Sequence, residues 1–249
     1  MLRSFAQMHF EMHDGKVLRR YSGGIPCDFA TNKVHRRLET KVERSEFTTY
    51  ILRYNDDRSM TIRETEANAA LLILAGSETT ASLLSVFTYY IMANPLAYRK
   101  LVDEIRGSFN SYEDIDFQRV GQLTYLNAAL EESLRVYPPV PAIIPRVVPK
   151  EGALIVPENP TRLSPRDGWI AETNASSRTS RTAVQPFSLG PRNCLGRNLA
   201  YAEMRLIMTK VFWSFDMTMD ESSAAWNIQK SYNIWERKPL MANLSLAQH

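Results

Sequence analysis

Cys194 sits in the stretch FSLGPRNCLG, residues 187–196 of a 249-residue chain. It is placed between a loop and the opening of a helix, where free backbone amides and the positive end of the helix dipole favour a thiolate. Arg192, two residues earlier, adds positive charge. Gly190 permits a turn with positive φ, Gly196 lets a flat group approach the backbone, and Phe187 is placed to screen the sulfur from water. A thiolate held by amides in a dry pocket is what an axial metal ligand requires. A free cysteine is also commonly a small buried hydrophobe, and for this residue taken alone both readings stand. Zinc is disfavoured because no second Cys or His lies near; His9, His13, His35 and His249 are all distant. The same distances leave no local motif for a cysteine protease. The other cysteine, Cys27, is too little for a disulfide framework, so a reducing compartment is the default.

Two further patterns have usable spacing. Glu132-Ser133-Leu134-Arg135 puts a carboxylate and a guanidinium at i, i+3, on one helix face. Read alone, it is a surface ion pair of little consequence. Ala75-Gly76-Ser77-Glu78-Thr79-Thr80 places Gly76 and Thr79 on a shared face. Close packing, or a hydroxyl bonded back to a helix carbonyl, explains that pair equally well.

These residues need helices to hold them. Ser22-Gly23-Gly24-Ile25-Pro26 signals a loop, and helical character is predicted from Val34 onward. Thr61 opens a capping box with Glu64. No proline interrupts residues 62–93, and Asn94-Pro95 ends that helix and starts the next, to Gly107. Leu123 to Val136 reads as another helix, stopped by Pro138-Pro139. Short apolar runs within 138–165 suit small strands, and 170–185 is polar loop. A helix follows Cys194, from Leu195 to Trp213, with apolar residues at helical spacing. Short strands are expected after Phe215.

Composition agrees with a helix-rich globular chain. Apolar residues are 44% and charged residues 23%, which excludes a disordered or collagen-like chain. A net charge of +3 is too small to imply nucleic acid. Ala69 to Met92 is long and apolar enough to span a membrane, but Glu78 in its middle predicts a helix buried inside protein. No signal peptide or anchor is expected in this chain.

Together the motifs change the weight of each. F-x-x-G-x-R-x-C-x-G, filled by Phe187, Gly190, Arg192, Cys194 and Gly196, resembles the cysteine-haem loop of the cytochrome P450 superfamily. Glu132-x-x-Arg135 and Ala75-Gly76-x-Glu78-Thr79 resemble that family's two other motifs, in the family's order. NLAYAEMRL, residues 198–206, looks like its fungal branches.

The resemblance covers residues 34–249 and leaves 1–33 unassigned. It implies a mainly α fold with a small β portion, the C-terminal half of a domain about twice this length. It implies a haem-thiolate monooxygenase hydroxylating an apolar organic substrate with dioxygen, in fungal secondary metabolism. The alternative is an incomplete or non-catalytic fragment with at most haem-binding capacity. By resemblance Cys194 ligates the iron of haem b, and Phe187, Gly190, Arg192 and Gly196 line the cofactor. Arg192, with Arg146 as a second candidate, pairs with a propionate. Glu78 and Thr79 manage proton delivery, and Glu132 and Arg135 form a buried structural ion pair. Electrons come from NADPH through an NADPH-cytochrome P450 reductase at the cytosolic face of the endoplasmic reticulum. The sequence departs from the family at Pro165-Arg166-Asp167-Gly168-Trp169, where the pattern is Pro-Glu-Arg-Phe/Trp; Arg166 stands nearest to the third member of the Glu–Arg–Arg network.

Overall fold

Several helix starts follow local capping chemistry. The computed structural model describes residues 25–40, 60–141, 184–231, 234–236 and 238–248. The chain divides into two compact units, Met1–Glu78 and Thr79–His249. In the first, α1 spans Ile25–Glu39. It starts earlier than the loop signal at Ser22–Pro26 suggests, because a proline in a helix's first turn removes no intrahelical hydrogen bond. Ala30 and Val34, one turn apart, are buried. The charged stretch beyond Thr40 lies outside the described residues.

The second helix, α2, is Ile62–Ala93, 32 residues without a break. At 1.5 Å per residue it is about 48 Å long. Its start is the predicted capping box: Thr61 N donates to Glu64 Oε2 at 2.7 Å, and Glu64 N donates to Thr61 Oγ1 at 3.3 Å. The Thr61 amide and hydroxyl hold the Glu64 carboxyl below its ordinary value. His35 Nε2 and Glu66 Oε1, 2.7 Å apart, join α1 to this first part of α2.

The second unit takes over within α2. Leu83, Leu84, Val86, Phe87, Tyr89 and Ile91 are buried there. The helix is long and apolar enough to cross a membrane by composition, and over this half it is a core helix, as Glu78 predicted. Leu71, Leu72 and Ile73, further back, are exposed. Asn94 then caps α3, Pro95–Ser108, accepting from the Leu96 and Ala97 amides. A short helix, α4 (Phe117–Val120), is capped by Asp116. Helix α5 is Thr124–Val136 and α6 is Arg197–Ser214.

The main core lies between α2, α3, α5 and α6. Phe212 of α6, fully buried, meets the Phe87 ring edge-on at 5.9 Å and the Tyr98 ring at 5.8 Å. Arg106 fixes the chain where α6 ends. It donates to the carbonyls of Phe212 and Phe215 and to Asp216 Oδ1 at 2.7 Å. There β1, Phe215–Met219, begins; it pairs antiparallel with β2, Ala242–Leu246, from Phe215↔Leu246 to Met219↔Ala242.

A second, aromatic cluster holds Tyr89, Tyr137 and Trp226, with Trp235 stacked on Tyr137 at 4.0 Å. The architecture is mainly α with a small two-stranded sheet, as the sequence predicts. The runs at 142–144 and 153–156 and the polar stretch 170–183 lie outside the described residues.

Candidate functional site

The loop before α6 is shaped by its glycine and by its own backbone. Gly190 has φ +76°, the left-handed conformation its lack of Cβ permits. It opens a single 3₁₀ turn, Gly190–Arg192. Asn193 N donates to Gly190 O at 3.0 Å, and Cys194 N donates back to Phe187 O at 2.9 Å. These bonds fold the loop onto itself and set Cys194 just ahead of α6. Ser188 also has positive φ, +61°, which no motif position announced.

Phe187, Gly190, Arg192, Cys194 and Gly196 are thus brought together in one loop. The dry setting expected for the sulfur is not found, since Cys194 is exposed. The Phe187 ring packs instead 5.1 Å from Tyr201, with the Arg197 guanidinium 5.7 Å from its centre. A recess of about 750 Å³ opens beside Cys194, lined by Leu195, Arg197, Tyr201, Arg205 and Glu131 among others. Leu189, Leu195 and Leu199 are exposed apolar residues of the same segment. A Cβ at Gly190 or Gly196 would meet nothing within 4 Å.

These residues fit a haem. A single soft thiol donor stands at a helix N-terminus beside a mostly polar recess, with Leu189, Leu195 and Leu199 exposed on the same segment and guanidiniums at Arg192 and Arg197 for carboxylates. The recess has the size of a small-molecule site.

Glu132 and Arg135 pair with each other on α5. Arg135 Nε donates to Glu132 Oε2 at 2.7 Å and its second nitrogen donates to Oε1 at 2.6 Å, a bidentate fork. The side chains are 27% and 22% exposed, so the pair is half-buried rather than fully buried. It flanks the α5 face that buries Leu126, Ala129, Leu130, Ser133 and Leu134, and at i, i+3 it falls beside that stripe, not within it.

α2 carries Gly76, Glu78 and Thr79 on unbroken helix. Glu78 is buried, at 6% exposed, Thr79 is half-buried, and a Cβ at Gly76 would meet nothing within 4 Å. Arg146, Arg166 and Trp169 lie outside the described residues.

The sequence reading missed two sets of residues that position the site. Glu104 of α3 caps α5 from outside. Its carboxylate accepts from Tyr125 N at 2.7 Å, Leu126 N at 2.9 Å and Thr124 Oγ1 at 3.0 Å. The residue in the cap position, Leu123, supplies no side-chain bond, and that missing cap was the signal.

Between α5 and α6, Tyr201 donates to Glu131 Oε1 at 2.5 Å, and Arg205 Nε donates to Asn127 Oδ1 at 2.6 Å. Burial pushes the Tyr201 hydroxyl well above the ordinary tyrosine range; its bond to Glu131 pushes the same way, against Arg197 and Arg205. Tyr201 therefore stays a donor.

Comparison with known proteins agrees with these motifs. A family profile described as Cytochrome P450 matches residues 23–154 and 159–243. The chain is 45% identical over 237 residues to the cytochrome P450 monooxygenase astJ of Aspergillus oryzae, covering 86% of this chain and 47% of that protein. It is 42% identical over 234 residues to the cytochrome P450 monooxygenase astA of Talaromyces wortmannii, 85% of this chain and 48% of the relative. To the cytochrome P450 monooxygenase efuB of Hormonema carpetanum it is 38% identical over 244 residues, 88% and 48%. The chain spans about half the length of these relatives. With most of its length matched by the family profile, the chain belongs to the cytochrome P450 family.

Proposed function

We propose that this chain is the thiolate-bearing part of a haem-dependent monooxygenase that hydroxylates an apolar organic compound in fungal secondary metabolism. One observation carries the reading: Cys194 is held by the Phe187 carbonyl at the N-terminus of α6, beside an open recess flanked by Arg197 and Arg205. The haem, when bound, supplies the activation of dioxygen.

The chain's own residues supply the rest. Cys194, at the opening of α6, supplies the sulfur ligand. Arg192 binds a propionate, and Arg146 is the second candidate for that role. Phe187, Gly190 and Gly196 give the cofactor a flat approach. Glu78 and Thr79 move and hold protons on α2. The Glu132–Arg135 fork is the structural ion pair of α5. Electrons come from NADPH through a reductase docking at the endoplasmic reticulum surface.

A second reading is favoured by the exposure of Cys194. Here the chain binds haem at most and does not turn over. Hemin titration of the chain separates the outcomes. A one-to-one complex with the reduced carbon-monoxide spectrum of thiolate ligation, lost in Cys194→Ser, supports the site. Turnover of an apolar substrate with NADPH and reductase supports the monooxygenase over the binding fragment. Hemin binding that Cys194→Ser leaves unchanged refutes Cys194 as the ligand, and with it the monooxygenase reading.

A further inference from the structure

The loop that carries Cys194 touches water along residues 189–199, all of them exposed. The first residue of α6 is preceded by Gly196, which gives no side-chain cap. A ligand-bearing loop in that position needs a tie to the body of the fold. A continuous one runs through Tyr201. The Cys194 amide bonds to Phe187 O at 2.9 Å, the Phe187 ring lies 5.1 Å from the Tyr201 ring, and the Tyr201 hydroxyl bonds to Glu131 on α5 at 2.5 Å.

Asn127 and Glu131 are one turn apart on α5, as Tyr201 and Arg205 are on α6. The bond from Arg205 to Asn127 is therefore a second rung of the same ladder. Guanidiniums of Arg197 and Arg205 sit 5.9 and 5.0 Å from the Tyr201 ring centre, within cation–π range. Glu131 directly precedes Glu132 of the Glu–Arg fork, so the ladder couples the thiolate loop to the helix bearing that fork.

We propose that Tyr201 and Glu131 are positioning residues for Cys194: their hydrogen bond fixes the loop geometry in which the sulfur is presented to the cofactor. The proposal rests on the haem-thiolate reading for its consequence and on the contacts of Tyr201 for its geometry. Tyr201→Phe keeps the ring stack and removes the donor. Glu131→Gln keeps an acceptor oxygen, whereas Glu131→Leu removes it.

In the unliganded chain, residue-resolved amide exchange at Cys194 should rise about tenfold or more in Tyr201→Phe and Glu131→Leu, and much less in Glu131→Gln. Amides of the core, such as those of Leu130 and Phe212, should keep their protection. An unchanged Cys194 rate overturns the proposal. So does an equal rise across the chain, or exchange at Cys194 already as fast as in an unstructured peptide before substitution. In the hemin-loaded chain, Tyr201→Phe should convert part of the reduced carbon-monoxide spectrum from the thiolate form to the neutral-thiol form. If the unsubstituted chain takes no hemin through Cys194 while the exchange results hold, the haem reading fails and the anchor stands.

Discussion

Replacing Glu104 tests how the motif helix is held. The Glu104 carboxylate receives the Tyr125 and Leu126 amides at 2.7 and 2.9 Å. These are two of the four amides that a helix start leaves without partners. Bonds to an ionised group contribute about 1.5–3 kcal/mol each when well shielded. Loss of an ordinary N-cap costs about 0.5–2 kcal/mol. The two scales describe one interaction and are not summed. Leu126 is fully buried while Glu104 is half-exposed, so the cap scale's upper end applies, at about 2 kcal/mol for Glu104→Ala.

Glu104→Gln keeps one acceptor but turns an amine toward the helix start, and should cost about 1 kcal/mol. With a urea slope of about 2 kcal/mol/M, the Ala variant lowers the unfolding midpoint by about 1 M. The third bond, from exposed Thr124 Oγ1, should couple weakly. A Glu104→Ala/Thr124→Val cycle should give less than about 0.5 kcal/mol. The assay is urea unfolding followed by helical circular dichroism. A Glu104→Ala midpoint within about 0.2 M of the unsubstituted chain would refute the view that α5 depends on a cap borrowed from α3.

Two other perturbations probe the core. Phe212→Ala empties the centre of the main cluster, where the ring meets Phe87 and Tyr98, and should cost about 3–5 kcal/mol in the same unfolding experiment. A loss below about 1 kcal/mol would show that the site collapses on itself. Tyr137 is buried and its hydroxyl has no partner among the described residues; burial, with Tyr90 beside it, pushes it up to about 12. The raised value means the folded state resists ionisation that the unfolded chain undergoes near 10. Stability is therefore fully present below pH 10 and is lost as pH rises through about 12. Tyr137→Phe should leave stability at pH 7 unchanged or slightly higher and should flatten the loss between pH 10 and 12. An unaltered alkaline profile would count against Tyr137 as its source.

Helix starts were legible because their chemistry is local. Thr61 and Glu64 lie three residues apart, and Asn94 directly precedes Pro95, so the caps needed no tertiary information. Where α1 begins was less legible, since glycines and a proline mark a loop and a helix start equally well. The half-burial of Glu132 and Arg135 could not be read either, because i, i+3 spacing fixes that two residues meet and not what covers them.

By itself the sequence determined the family, the thiol and the elements that carry them. Five fixed positions in ten residues, the Glu-x-x-Arg spacing and the Gly76–Thr79 stretch are patterns of residue type and separation along one chain. Tertiary structure alone decided what surrounds them. It brought Glu104 onto the start of α5 from 20 residues away, and Tyr201 onto Glu131 from 70 away. It also turned Phe187 toward Tyr201 and left Cys194 exposed beside an open recess. The physical reason is that a cap or a rung between helices depends on how two elements pack. Packing joins residues whose separation in sequence carries no period to read.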